Sequence, residues 1–419
     1  MFITLCEFNR LMAPFAPFES PPRIAIAVSG GPDSLALALL SHQWAKSCGG
    51  EAIALTVDHR LREGSTAEAH QVGIWLHKRG VEHHILTWER TEGKDAPQTA
   101  IQAHARKARY RLLGQWCTNH GVKHLLTAHH MQDQFETFMI RLAKGSGLKG
   151  LTGIQGVVPT DFGRILRPLL ALDPNRLKET LEQFNQPFIL DPGNENTAFT
   201  RVRWRQLLPL LALEGLTPQS MRETLDRLTH AQRLIDRHIA NLLKQYVTLS
   251  PYGYATLKKE ALKETPEAFE EMLKRILATI GTRAYPTRRK ALHRAIEMMI
   301  SGNSMTLGGC QILRKSEGWW IVREGAAIQE DIPVQQPGTF LWDDRFTVTV
   351  ETPCQIGALI GVLGERGIRQ QDKVSKQTQS IPHIVLKTLP ALWEGEKLLD
   401  PFLSFTFTPR HSLLPEGIE

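Results

Sequence analysis

Four short apolar runs, IAIAV (24–28), AIALTV (52–57), VEHHILT (81–87) and KHLLTA (123–128), recur along the first half of the chain. Each is followed by a longer stretch with helical spacing. Leu35, Leu37, Leu39 and Leu40 follow the first. After the second, Ser65 with Glu68 three residues on resembles a capping box and predicts a helix through about Lys78. After the third, Ile101, Ala105, Ala108, Leu112, Leu113 and Trp116 mark a helix over 99–119. After the fourth, Phe135, Phe138, Met139 and Leu142 mark one over 131–143. Strand–helix alternation of this kind builds a parallel sheet with helices on both faces, a doubly wound α/β fold. Ligands of such sheets sit outside the carboxyl ends of the strands, near the topological switch point. The polar strings SGGPDS, DHRLR and AHHMQDQFET fall at those ends, which marks one edge as the active one.

The chain has 419 residues, too many for one ordinary core. Residues 1–22 lack a basic segment leading into a continuous apolar stretch, so no signal peptide is read there, and they are expected to be a loosely attached extension. The α/β domain is expected over 23–212 and a mostly helical domain over 213–330. Basic residues recur along 217–300, from Arg222 and Arg227 to Thr287-Arg288-Arg289-Lys290. From about 304 the runs turn β-like, and Pro333 and Pro337 suggest a linker before a small α+β domain over 331–419. The formal charge of +7 permits a polyanionic partner without establishing one. Cys6, Cys48, Cys117, Cys310 and Cys354 form no CxxC pair, which argues against zinc ribbons, cysteine-ligated clusters and a disulfide framework and fits a reducing cytosol. No apolar run approaches the roughly 18–20 residues that a membrane span needs.

The string Ser29-Gly30-Gly31-Pro32-Asp33-Ser34 lies between a strand and a helix. Consecutive backbone N–H groups and a helix N-terminus meet at such a turn and suit phosphate. No GK[ST] follows it and GxGxxG is absent, so it is neither a Walker A loop nor a dinucleotide fingerprint. A bound phosphate would repel Asp33 unless a cation lay between them, which points to Mg²⁺ bridging carboxylate and phosphate oxygens. The plainer reading is a tight turn with Asp33 capping the helix.

That string resembles the pyrophosphate-binding loop of the ATP-pyrophosphatase, or PP-loop, superfamily, whose members cleave ATP between the α and β phosphates. Further strings resemble motifs of the tRNA(Ile)-lysidine synthetase family: Val57-Asp58-His59-Arg60-Leu61-Arg62, Ala105-Arg106-Lys107-Ala108-Arg109-Tyr110, Thr127-Ala128-His129-His130 through Glu136-Thr137, and Arg167-Pro168-Leu169-Leu170. Asp191-Pro192-Gly193-Asn194 leading to Arg201-Val202-Arg203-Trp204-Arg205 resembles the end of that family's catalytic domain, and Leu307-Gly308-Gly309-Cys310 to Arg323-Glu324 a later segment. The likeness is dense in the first half and thin beyond it. Two positions depart from the family pattern. Gln132 stands where the first of two adjacent aspartates is usual, and Val202 where an asparagine is common.

The resemblance implies a cytoplasmic, ATP- and Mg²⁺-dependent ligase. It would join free L-lysine to C2 of the wobble cytidine of tRNA(Ile) with a CAU anticodon. ATP would first adenylylate the C2 oxygen and release diphosphate, and the lysine ε-amine would then displace AMP. Relatives occur as monomers and as dimers, so a homodimer is compatible. Ser29 to Ser34 would hold ATP, with Asp33 as the Mg²⁺ ligand, and Asp58 and His59 would touch ribose or adenine. Arg106 and Arg109 lie three apart on one helix face, and Arg109 offers a planar fork to phosphate or cytidine. Asp133 and Glu136, also three apart, put two carboxylates on one face and are assigned to lysine recognition, with Mg²⁺ binding as a second possibility and a helix-end charge pair as the plain alternative. The lysine amine, with a pKa near 10.4, needs such help to lose its proton. Arg201, Arg203 and Arg205 around Trp204 would grip RNA backbone or the adenylate. His129 and His130 shape the pocket, since no third metal ligand is evident. Three alternatives stay open: a tRNA thiolase, which the missing CxxC disfavours; an amide- or amidine-forming enzyme acting on a small molecule, which leaves the basic region unexplained; and a catalytically silent RNA-binding relative, which intact Asp33, Asp133 and Glu136 disfavour.

Overall fold

The first residues are packed into the protein rather than loosely attached. Helix α1 (Leu5–Met12) is capped by Thr4, whose hydroxyl accepts from the Glu7 amide, and its Phe8 and Met12 are fully buried. Arg176 grips Glu7 with two hydrogen bonds of 2.8 and 2.7 Å, and the Ile3 amide donates to Thr180 Oγ1. The extension expected over 1–22 therefore belongs to the first core: its apolar residues are spaced for one helix face, a signal too short to stand out in sequence.

The computed structural model describes residues 1–60, 64–89, 101–190, 197–282, 288–328, 331–351, 353, 357–370, 381–400 and 403–414. Leu61, Arg62, Asp191, Pro192, Gly193, Asn194, Thr287 and Cys354 of the motifs above lie outside them. The chain divides into two compact units, Met1–Gln232 and Arg233–Glu419.

In the first unit β1 (Arg23–Ala27), β2 (Glu51–Asp58), β3 (Glu82–Thr87) and β4 (His124–Leu126) are the four expected strands. A hairpin, β5 (Val157–Thr160) and β6 (Gly163–Leu166), extends the sheet to the order β3-β2-β1-β4-β6-β5. All pairs are parallel except β5 with β6. The helices are α2 (Pro32–Ser47), α3 (Ser65–Lys78), α4 (Ile101–Asn119), α5 (Met131–Ala143), α6 (Leu148–Leu151), α7 (Pro174–Gln183) and α8 (Thr200–Leu213), followed by α9 (Pro218–Tyr246). Alternation along β1 sends Ile24 and Ile26 into a core with α1, α2, α3 and α7, and Ala25 into a second core with Leu113, Trp116 and Cys117 of α4. The sheet is thus covered on both faces. The chain winds outward from β1 through β2 to β3, then returns to place β4 on the other side of β1. That makes β1/β4 the switch point, and the glycine turn and the paired histidines follow these two strands.

One expected cap is displaced. Gly64, at φ +89°, precedes α3, and Ser65 is already helical, its hydroxyl donating to Asp58 Oδ1 at 2.9 Å.

The stretch 217–300, read as mostly helical, carries among its described residues three helices and one hairpin that the reading did not include. Between α9 and α10 (Pro266–Gly281) runs a hairpin, β7 (Val247–Ser250) and β8 (Tyr254–Lys258), turning at Ser250 to Tyr254. After α11 (Arg289–Ile300) come β9 (Met305–Leu307), β10 (Cys310–Lys315) and β11 (Gly318–Arg323), and the five strands form an antiparallel sheet, β7-β8-β11-β10-β9. Among the described residues the second unit also holds two smaller sheets. One joins β12 (Ile332–Pro333) with β15 (Ala358–Val362), β16 (Pro390–Glu394) and β17 (Lys397–Asp400). The other joins β13 (Gly338–Trp342), β14 (Phe346–Val350) and β18 (Ser404–Phe407). Pro333, read as linker, stands in edge strand β12, where a missing N–H costs no ladder bond.

Candidate active site

The turn after β1 is held by its own side chains. Ser34 is buried at the start of α2; its hydroxyl accepts from the Ser29 amide at 3.1 Å and donates to the Gly31 carbonyl at 3.0 Å. Gly30 sits at φ +87°, and a Cβ there would come within 2.8 Å of Val72 and 3.0 Å of Ile189, so any other residue at this position would be strained. Its carbonyl accepts from the Ile189 amide. Gly31 begins α2 with no side-chain cap, and Pro32 takes the first helical position, where its missing N–H costs nothing. Asp33 lies in the first turn and is not the cap. The helix end stays open toward the cleft, as anion binding by backbone N–H groups requires.

The cleft encloses about 1690 Å³ and is lined by Pro32 and Asp33, by Arg106 and Arg109 of α4, by His130 to Phe135 at the start of α5, and by Arg201 and Arg205 of α8. His130 joins the two ends of the site. Its Nε2 lies 3.5 Å from Asp33 Oδ2 and 3.5 Å from Asp133 Oδ2, and the Asp133 carboxylate also accepts from the His130 amide at 3.0 Å. Burial works to lower the pKa of His130, but the bond to Asp33 and the charges of Asp133, Asp33 and Glu136 outweigh it and raise the value. His130 thus bridges the carboxylate of the glycine turn and that of α5. Sequence reading gave His130 only a shaping role; its place after β4, at the switch point, was the available signal. His129 is different. Burial foremost, with nearby arginines, lowers it to about 4 despite Asp133, and its Nδ1 lies 3.1 Å from Thr127 Oγ1.

Asp133 and Glu136 do share a face of α5, but they do not share the cleft. Asp133 lines it, with Arg201 Nη1 at 3.9 Å. Glu136 is fully buried, and Arg205 donates to its Oε1 from Nε at 3.0 Å and Nη2 at 2.9 Å. Burial raises the Glu136 carboxyl above the usual range even against Arg205, and Oε2 is buried without a hydrogen-bond partner among the described residues. Arg203 points elsewhere: Nη1 donates to the carbonyls of Thr197 and Ala198, and Nη2 to Thr200 Oγ1. Of the departing positions, Gln132 lines the cleft and Val202 is buried in its wall.

Asp58 is almost wholly buried, and its carboxylate accepts from Ser65 Oγ at 2.9 Å, Thr66 Oγ1 at 2.6 Å and the Arg60 amide at 3.0 Å. Burial opposes ionisation, but these donors hold its pKa below the ordinary value. It shapes the turn from β2 to α3. His59 accepts from Arg109 Nε at 3.2 Å, and burial first, then the Arg109 charge, pushes it down to about 4. Neutral His59 therefore orients Arg109 across the cleft. Arg106 lies 5.1 Å from the ring centre of Tyr110 and keeps its guanidinium on the cleft side.

No group of three or more histidine, cysteine, aspartate or glutamate side chains among the described residues forms a metal cage. A Mg²⁺ ion held by one carboxylate and phosphate oxygens needs none, and Asp33, partly open beside an uncapped helix end, fits that mode.

A family model described as PP-loop domain matches residues 5–211. A tRNA(Ile)-lysidine synthase of Orientia tsutsugamushi (strain Boryong) is 33% identical over 354 residues, covering 82% of this chain and 78% of that protein. One from Wolbachia sp. subsp. Brugia malayi (strain TRS) is 31% identical over 411 residues, covering 94% and 90%. Among solved structures, the U34-tRNA thiolase NcsA from Methanococcus maripaludis aligns with 53% of this chain and 78% of that chain at 16% identity and a TM-score of 0.46.

Proposed function

The chain belongs to the tRNA(Ile)-lysidine synthase family and is an ATP-dependent ligase of that kind, and on this premise we propose how its residues divide the reaction. The substrates are ATP, free L-lysine and tRNA(Ile) with a CAU anticodon, and the products are lysidine-bearing tRNA, AMP and diphosphate. Both ATP and tRNA are cytoplasmic, so the proposed place of action is the cytoplasm. Mg²⁺ is proposed on Asp33, where it would neutralise phosphate charge.

The observation that carries the division of labour is the chain of contacts Asp33–His130–Asp133–Arg201, which runs from the glycine turn to the wall of the cleft. The turn Ser29–Ser34 and the open N-terminal end of α2 hold the phosphates, with Arg106 and Arg109 adding charge that is worth most where water is excluded. Asp133 receives the lysine ammonium and assists its deprotonation. His130 keeps the two carboxylates apart as a positive spacer. Glu136 acts from beneath, through Arg205, as a positioning residue. The chain beyond the PP-loop domain is assigned to RNA. In support, α11 exposes Arg288 at its start and Arg289, Lys290 and Arg294 along it, while Leu292, Ala295 and Met299 are buried.

AMP release tests this reading. It should require RNA and ATP together, with stable product appearing only when lysine is added. AMP formed equally without RNA would overturn it.

A further inference from the structure

The roles assigned so far leave one exposed ring in the cleft unused. Phe199 caps α8 at its N-terminal end, lines the cleft and keeps 38% of its surface open. Single exposed apolar residues need no explanation on most surfaces. Phe199 is not single: Leu190, 74% exposed, lines the same cleft. The backbone that presents the ring is also fastened. Arg203 binds the carbonyls of Thr197 at 2.8 Å and Ala198 at 2.9 Å and the Thr200 hydroxyl at 3.1 Å, while the amides of Val202 and Arg203 donate to the Phe199 carbonyl. An open aromatic face on a pinned turn is a stacking surface, and every nucleobase has a π-face to lay on it.

We propose that Phe199 is the platform on which the target base of the RNA stacks, with Arg203 as the residue that positions it. This rests on the ligase reading above. The base that reacts must lie within bonding distance of both the α-phosphate of ATP and the incoming amine, so it sits between the glycine turn and the lysine carboxylate. Phe199 stands two residues before Arg201, whose guanidinium lies 3.9 Å from Asp133, and so belongs to the lysine end. Adenine is attached at the opposite end of ATP from the phosphates that the loop grips. The ring is therefore assigned to the RNA base, and Arg201, which lines the same cleft, adds charge for the adjoining phosphates.

The test compares the full chain with Phe199→Leu, Phe199→Trp and Phe199→Ala. For each, KM for the RNA, KM for ATP and binding of ATP alone are measured. Removing a stacked ring should raise the RNA KM by about fivefold to a hundredfold in the Leu and Ala variants. Trp should stay near the parent value, and ATP binding without RNA should be unchanged throughout. Leu and Trp keep most of the volume, so that pair decides the matter even if the Ala variant folds poorly. A Leu variant equal to the parent overturns the platform, and loss of ATP binding without RNA assigns the ring to adenine and overturns it too. A parent chain that modifies RNA while the variants match it removes the platform alone. A parent chain inactive on RNA overturns the ligase reading on which the platform stands.

Discussion

Arg205 gives two hydrogen bonds to a single oxygen of Glu136, whose side chain is shut off from solvent. Four residues earlier on the same helix, Arg201 reaches Asp133, three residues before Glu136 on α5. The two helices thus meet through a pair of charge contacts, one in the cleft and one beneath it. Removing Arg205 leaves a carboxylate buried without its cation. Arg205→Met should cost about 2 kcal/mol or more of stability, and Arg205→Met with Glu136→Gln should recover part of that loss. Denaturant melts of the single and double variants check this; no recovery in the double variant would mean that the two side chains are not coupled.

Asp33→Ala should lower AMP formation by about a hundredfold or more while tRNA affinity changes little. A titration with Mg²⁺ is the accompanying measurement, because the parent should depend on the ion. Unchanged turnover in this variant would remove both the metal assignment and the part of Asp33 in the chemistry.

Asp133 faces the cleft and Glu136 does not, so their substitutions should separate. Asp133→Asn should raise the KM for lysine by about tenfold to a hundredfold, the worth of a charge-assisted hydrogen bond, with the KM for ATP nearly unmoved. Glu136→Gln should lower stability or turnover without a selective lysine effect. Initial-rate kinetics in lysine and ATP decide, and a selective lysine defect in Glu136→Gln would return that residue to the binding set.

Three partly or mostly buried histidines, His59, His83 and His129, are each pushed down to about 4, in every case chiefly by burial. The unfolded chain protonates them near 6.5, the folded chain only near 4. Their contribution is therefore present above pH 6.5 and is lost as the pH falls from 6.5 toward 4. Thermal melts of the parent should fall across that window. His83→Gln, which keeps a partner for Thr56 Oγ1, 2.8 Å from the His83 ring nitrogen, should flatten the fall.

The four parallel strands β1 to β4 were legible because each carries its own apolar run and each polar string falls at a strand end, whereas the short hairpin β5–β6 carries no such run and was not read. Ser29–Ser34 was legible for the same reason: its function resides in backbone geometry that a Gly-Gly-Pro turn after a strand already implies. What escaped depends on partners far along the chain. His130 acquires its bridging role only when β4 is laid beside β1, Asp58 is claimed by Ser65 and Thr66 of the following helix, and Glu136 is covered by Arg205, 69 residues away. The hairpin at β7 and β8 was missed because its strands are short and its apolar pattern blends into the helices on either side.

The most direct measurement is the mass of an isoleucine tRNA with a CAU anticodon after incubation with this protein, ATP, Mg²⁺ and lysine. A ligase of the kind described adds one lysine, less one water, to a single cytidine, and releases one AMP and one diphosphate for each addition. An RNA of unchanged mass, with ATP intact, would contradict the account at its centre.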